Sequence, residues 1–195
     1  MAMQILGKIL GGESRVKIMR LFLLNKSKIF GSKEISKRSR VDTAIVGREL
    51  KLLQSINFIK KRSSGFSWND AFRYKREMED LLIMADTPDK EVILSSFKKT
   101  GKLKLLLLSG IFIKNKDSRV DILIIGDGIK KGKVEEAVRK LEAEIGTELS
   151  YAVFETKEFI YRLNMFDKLV RDILDFPHEV VLETKELSTQ ALKKP

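Results

Sequence analysis

The chain has 195 residues, 43% of them hydrophobic and 33% charged, with no Cys and a single His, His178. That suits one large globular domain or two small ones. It leaves no material for a disulfide scaffold, a thiolate metal site, a Cys nucleophile or a zinc site built on several His.

The net charge of +11 points to a polyanionic partner. It is unevenly spread: residues 1–86 hold 18 Lys+Arg against 9 Asp+Glu, and residues 87–195 hold 20 against 18. Residues 1–10 are too short and mixed for a secretory signal. The longest apolar run, Leu105-Leu106-Leu107-Leu108, has the length of a buried strand and not of a membrane span. A cytoplasmic protein without a membrane partner is expected.

The first half reads as three helices and a hairpin. Val16, Met19 and Leu23 share one face of a helix over about 14–25, and Phe22 widens it. Gly31-Ser32 opens a short helix, 33–39, with Ile35 inward. A turn at Arg40-Val41 leads to Asp42, a good N-cap. The helix that follows runs to about residue 55, with Val46, Leu50 and Leu53 at i, i+4, i+7. Two short strands, 58–62 and 66–68, flank a turn at Ser63-Ser64-Gly65. Met78, Leu81 and Leu82 mark a linker or dimerisation helix.

A boundary is expected at Asp86-Thr87-Pro88, where Thr87 can cap a helix and Pro88 fits its first turn. The second half then reads as a helix over 88–99 and strands over 103–108 and 120–125, the latter ended by Gly126-Asp127-Gly128. Val134, Ala137, Val138, Leu141 and Ile145 fit a helix. A strand over 148–154 follows. Thr156 is expected to cap a helix holding Phe159, Ile160 and Leu163. Phe166, Leu169, Val170 and Ile173 make another helix, and residues 180–182 an edge strand. The class is α+β, with a mixed sheet and packed helices in the second half.

Basic residues collect on the surfaces the first half would offer. In the helix over 43–55, Ala44, Gly47, Arg48 and Lys51 line the side opposite the core, with Thr43 at its start. A helix fits the DNA major groove and presents its N-terminal residues to base edges. Arg48 suits bidentate pairing with guanine, and Thr43 a phosphate or thymine methyl. Gly47 costs about 1 kcal/mol against Ala inside a helix. Either close approach to DNA or tight packing on another helix would justify it. Strand alternation puts Lys60 and Arg62 on one face. Phe66 and Trp68 suit hairpin packing or, as the alternative, stacking on bases. Lys33, Lys37, Arg38 and Arg40 are candidate phosphate contacts. In order and spacing, residues 12–74 resemble a winged helix-turn-helix domain. The resemblance implies binding to double-stranded DNA, with Lys60 and Arg62 on a wing.

In the second half, Ser109-Gly110 follows a strand, and Arg119-Val120-Asp121 opens the run Ile122-Leu123-Ile124-Ile125. Over about 88–184 this resembles the minimal nucleotidyltransferase fold. That family has Gly-Ser at the first site, Asp-x-Asp on the next strand and a third carboxylate later, holding two divalent metals. Here Gly-Ser is inverted to Ser109-Gly110, Arg119 replaces the first Asp, only Asp121 remains, and Ser150 stands at the third position. The resemblance therefore implies a vestigial, non-catalytic site with no cofactor. Asp121 and Glu148 remain as a rearranged single-metal alternative. Arg119 and Asp121 are expected to form an ion pair in the former metal site. Arg119 would then grip a nucleotide or other anionic effector, or the domain would be a scaffold that packs and dimerises.

The order of the two halves resembles a group of prokaryotic proteins that join a winged helix to such a domain and are regarded as transcriptional regulators. The expectation is two domains, 1–86 and 87–195, in a homodimeric DNA-binding regulator. The competing readings are an active nucleotidyltransferase and a non-enzymatic interaction adaptor. Remaining features read plainly: His178 as a surface or strand-edge residue, Met78 and Met84 as packing, residues 188–195 as a frayed tail. Lys130, Lys131 and Lys133 at a helix start read as a solvated cluster or a phosphate contact.

Overall fold

The computed structural model describes residues 2–84, 89–115 and 117–188. The fold is α+β and divides into two compact units. One holds the described residues up to Asp89 together with Arg139–Glu148, and the other holds Lys90–Val138 and the described residues from Leu149 onward.

In the first unit, α1 (Ala2–Leu10) and α2 (Glu13–Leu24) precede the two-residue strand β1 (Ile29–Phe30). Then come α3 (Ser32–Ser39), α4 (Thr43–Ser55), β2 (Ile59–Arg62), β3 (Gly65–Trp68) and α5 (Lys75–Glu79), which continues as a π-helical turn, Asp80–Met84. The predicted inward residues form one core: Val16, Met19, Phe22, Leu23, Ile35, Val46, Leu50 and Leu53 are all buried in it. Met78 packs against that core, half-buried.

The hairpin β2–β3 is antiparallel, with Lys60 opposite Ser67 and Arg62 opposite Gly65. β1 adds to the other edge of β3. This third strand and α1 escaped the sequence reading, because two residues are too few to show a period of two. Trp68 is buried, edge-on to Phe58 at 5.0 Å between centroids, and its Nε1 donates to Asp70 at 3.1 Å. Its ring is core packing.

The second unit is built on a four-stranded sheet in the order β6-β5-β4-β7. Its elements are α6 (Lys90–Phe97), β4 (Lys102–Leu108), a 3-10 turn at Gly110–Ile113, β5 (Ile122–Asp127), the start of α7 (Lys131–Ile145), β6 (Tyr151–Glu155), α8 (Thr156–Asn164), α9 (Lys168–Asp175) and β7 (Glu179–Glu183). β4 runs antiparallel to β5 and β7, while β5 and β6 are parallel. Leu105, Leu107, Leu123 and Ile125 pack on one face with Phe154, Phe159, Val170, Ile173 and Leu174. Leu106, Leu108, Ile122 and Ile124 point to the other face and are also buried. Both faces being covered explains why β4 and β5 read as continuous apolar runs. β7 is an edge strand, and His178 sits half-buried just before it.

Several boundaries differ from expectation. The expected cap at Thr87 and Pro88 lies outside the described residues, as do residues 189–195 of the expected frayed tail; α6 begins at Lys90. β5 begins at Ile122 and β6 at Tyr151, so Arg119, Asp121, Glu148 and Ser150 all precede their strands. Thr156 is the first residue of α8 and makes no cap hydrogen bond; Glu155 is the N-cap. Phe166 is not helical: it has φ 56°, and α9 starts after it with the Asp167 side chain accepting from Val170 N at 3.2 Å.

The second domain does not hold all of 87–195, because Arg139–Glu148 groups with the first unit. The reason is a buried polar clasp. Arg20, 3% exposed, donates through Nε to the Leu82 carbonyl and through Nη1 to the Glu144 carbonyl, both at 2.8 Å. Asn25 Nδ2 donates at 2.8 Å to the carbonyls of Leu21 and Gly146. These donors satisfy carbonyls that the end of α7 leaves without helical partners. Gly146 has φ 97°, and a Cβ there would stand 2.7 Å from the backbone carbon of Arg20. Only glycine allows this approach.

Candidate functional site

The first candidate surface is the outer side of α4. Asp42 Oδ1 accepts from Ala44 N at 2.8 Å and fixes the start of the helix. With Val46, Leu50 and Leu53 buried, Thr43, Ala44, Gly47, Arg48 and Lys51 are left exposed. The one acidic residue of α4, Glu49, is turned to Arg15 of α2, which donates through Nε at 2.6 Å. The outward charges of α4 are therefore Arg48 and Lys51, which form no ion pair with a described residue.

Gly47 separates its two expected justifications. A Cβ at this position meets nothing within 4 Å. Packing against another helix of this chain is therefore not why glycine stands here. The site keeps an exposed, open strip of backbone in mid-helix, at a cost of about 1 kcal/mol in propensity.

On α3, Lys33 and Lys37 are spaced i, i+4 and exposed, forming a basic stripe, and Arg40, the left-handed residue that ends the helix, is exposed after it. Arg38, the other expected phosphate contact, stands apart from the stripe. It lies over the Phe30 ring at 5.4 Å and pairs at 2.9 Å with both Glu34 and Glu148. Glu148 also lies 3.9 Å from Lys28 Nζ. Sequence periodicity put Arg38 on the surface but had no means of pairing it with a residue 110 positions away. On the hairpin, Lys60 is exposed, while Arg62 folds back so that its Nε donates to Ser67 Oγ at 3.0 Å.

The second candidate site is where β4 ends. Ser109, Gly110, Asp121 and Ser150 come together there as expected, but as a closed hydrogen-bonded knot. Asp121 Oδ1 accepts from Ile111 N and Oδ2 from Ser150 N, each at 2.8 Å. Its backbone N–H donates to the Ser150 carbonyl at 2.7 Å, and its carbonyl accepts from Ser109 N at 2.8 Å. The Ser109 hydroxyl donates to the Val120 carbonyl. Both carboxylate oxygens are thus engaged by backbone amides.

Arg119 lies outside this knot, so the expected Arg119–Asp121 ion pair is overturned. Its Nε donates to Asp172 of α9 at 2.8 Å. The two residues precede β5, where strand alternation does not govern their direction. Glu148, left open with Asp121 as a single-metal alternative, pairs with Arg38 and lies 3.9 Å from Lys28. Among the described residues, no group of three His, Asp or Glu side chains is placed to hold a metal.

At the opposite end of β5, Lys104 Nζ lies 3.1 Å from Asp127 and 2.7 Å from Glu186. The Lys104 ammonium holds the Asp127 carboxyl below its ordinary range. The Glu155 carboxylate accepts from the Gly128 and Ile129 amides at 3.2 and 3.0 Å. Lys130, Lys131 and Lys133 are exposed beside this turn, and Lys133 pairs with Glu136 at 3.4 Å.

No helix among the described residues is long and apolar enough to cross a membrane. Compared with models of known families, with curated proteins and with solved structures, the chain finds no match, so its function is argued from these surfaces alone.

Proposed function

We infer that the protein is a DNA-binding transcriptional regulator. The first unit acts as a winged helix-turn-helix reader, and the second as a nucleotidyltransferase-like scaffold without catalysis. The observation that carries the reading is the outer side of α4: exposed, free of acidic residues, and opened at its middle by a glycine whose missing Cβ no described residue fills. In this reading α4 enters the major groove, Thr43 and Arg48 face base edges, and Gly47 lets a phosphate or base approach the helix backbone. Lys51, Lys60, Arg62, the stripe of Lys33 and Lys37, and Arg40 follow the phosphates and position the helix.

The enzyme reading draws no support from Asp121. Each of its two oxygens accepts from a backbone amide, which gives the aspartate a structural task. The adaptor reading leaves the basic surplus of residues 1–86 without a task.

The test is fluorescence anisotropy with duplex DNA from upstream of the protein's own gene, against scrambled duplex, across a salt series. The expected result is a preference for the native duplex that survives near-physiological salt. Arg48→Ala should reduce that preference by about 1–3 kcal/mol. No binding at low salt would overturn the reading. Equal, steeply salt-dependent binding to both duplexes would overturn its sequence-specific part.

A further inference from the structure

Within the first unit, α3 and the end of α7 with the residues after it line a cleft of about 430 Å³. Sites for small ligands run from about 300 to 1,000 Å³, so this one suits a molecule the size of a sugar phosphate. Leu21, buried on α2, supplies apolar surface to it.

The charges of the lining do not cancel. The cations are Lys37, Arg38, Arg40 and Arg139, and the carboxylates are Glu34, Glu142 and Glu148. Glu34 and Glu148 both pair with Arg38 at 2.9 Å, and Glu148 also approaches Lys28 at 3.9 Å. Those two carboxylates are answered by two cations. Glu142 is then left against Lys37, Arg40 and Arg139. Lys37 and Arg40 form no ion pair with a described residue. The surplus is positive and sits in a concave site, where low-dielectric walls focus the field.

These donors match a phosphate monoester, which carries close to two negative charges at neutral pH and three strong acceptor oxygens. Arg40 offers forked N–H donors for two of those oxygens, and Lys37 a compact charge beside them. Thr147, half-buried in the lining, adds a neutral hydroxyl donor. Glu142 offers an acceptor to hydroxyl groups on the carbon skeleton. Arg40 also stands where glycine is usual: it ends α3 at φ 53°. Non-glycine residues in this region gather at functional positions.

We propose that this cleft binds a small phosphate monoester, its phosphate held by Lys37 and Arg40. The site is argued from the cleft alone. A consequence rests on the DNA reading: Lys37 and Arg40 cannot hold the ligand and follow DNA phosphates at once, so the ligand weakens DNA binding.

The experiment is isothermal titration calorimetry of the full chain without DNA, at fixed ionic strength. The probes are ribose 5-phosphate and AMP, compared with ribose and inorganic phosphate. At least one monoester is expected to saturate a single site and to bind roughly tenfold tighter than inorganic phosphate, and ribose should not bind. Lys37→Ala and Arg40→Gly should each weaken that binding roughly tenfold or more. Lys8→Ala, which removes a cation of α1 outside the cleft, should leave it unchanged. Alanine suits a helix and glycine a left-handed backbone, so both cleft variants should keep the circular-dichroism spectrum and melting temperature of the folded chain. Saturation by neither monoester overturns the proposal. So does binding that inorganic phosphate matches, that survives both cleft variants, or that falls equally in Lys8→Ala. Fluorescence anisotropy with DNA separates the two readings. A protein that takes the monoester and binds no DNA would sink the regulator and leave this site. One that binds DNA specifically and takes neither monoester would do the reverse. DNA affinity unchanged at saturating monoester would overturn the competition.

Discussion

A Cβ on residue 110 would stand 2.0 Å from Oδ1 of Asp121, so Gly110 and Asp121 are fitted to each other. Gly110 has φ 56°, in the left-handed region. The turn it makes aims the Ile111 amide at the Asp121 carboxylate. Ser109 and Ser150 hold the same aspartate through its backbone. The residues that resemble a phosphate-and-metal site act here as a clasp that ties the end of β4 to the approaches of β5 and β6.

The clasp predicts stability effects without a metal dependence. Asp121→Ala leaves two amides without their charged acceptor and should cost about 2–4 kcal/mol. Asp121→Asn keeps one acceptor oxygen and should cost less. Gly110→Ala combines a steric overlap with an unsuitable φ and should cost about 2 kcal/mol or more. Urea denaturation checks all three. A neutral result for Asp121→Ala, or a Mg²⁺-dependent rise in wild-type stability, would show that the carboxylate does something else.

Gly47→Ala separates folding from binding. The substitution adds a methyl group to open space on an exposed helix. It should stabilise the protein by about 0.5–1 kcal/mol. If the helix backbone approaches DNA at this point, the same methyl group should weaken binding roughly tenfold. A thermal melt and an anisotropy titration on one preparation read both signs. Unchanged binding with raised stability would remove Gly47 from the interface.

The sequence reading was strongest where a period governs the residue. Val46, Leu50 and Leu53 declared α4, Asp42 its start, and the run from Leu105 to Leu108 a strand covered on both faces. Ser109, Gly110, Asp121 and Ser150 were also read as neighbours. What stayed hidden was direction at strand ends. Arg119 and Asp121 look like same-face residues of a strand, yet the strand begins at Ile122. Pairings across long sequence separations were equally hidden: Arg119 with Asp172, Arg38 with Glu148, and Arg20 with the Glu144 carbonyl. Side-chain hydrogen bonds and ion pairs of this kind follow no period, so only the folded chain reveals them.

Asp127 gives the fold a defined acid response. The Lys104 ammonium keeps its folded-state pKa below the unfolded value of about 3.9. Its contribution is therefore present above that value and is lost as pH falls toward the folded one. Lys104 has the opposite sign: Glu186 and Asp127 raise its pKa, so its share is present below about 10.4 and is lost as pH rises through the folded value. Asp127→Asn should flatten the acid limb of a melting-temperature profile against pH. Lys104→Met should flatten both limbs. An acid limb unchanged in Asp127→Asn would assign it to other carboxylates.

Glu148 pairs with Arg38, a cation that the proposed DNA-binding function would turn to phosphate. Its carboxylate pairs with Arg38 at 2.9 Å and approaches Lys28 at 3.9 Å, while its own side chain is 66% exposed. An exposed pair of this kind contributes about 0–1 kcal/mol to stability, so Glu148→Gln should barely move the melting temperature. Its effect should appear in DNA binding. The substitution removes one negative charge and releases Arg38 from one of its two carboxylates, Glu34 remaining at 2.9 Å. Binding at low salt should tighten a few-fold, and the slope of log K against log salt should steepen by up to about one phosphate contact. Glu34→Gln should act in the same direction, and the double variant should exceed either alone, because Arg38 is freed only when both carboxylates are gone. An anisotropy salt series on the three variants measures this. If slope and affinity stay at wild-type values in the double variant, Arg38 lies away from the phosphates and the basic surface ends at Lys33, Lys37 and Arg40.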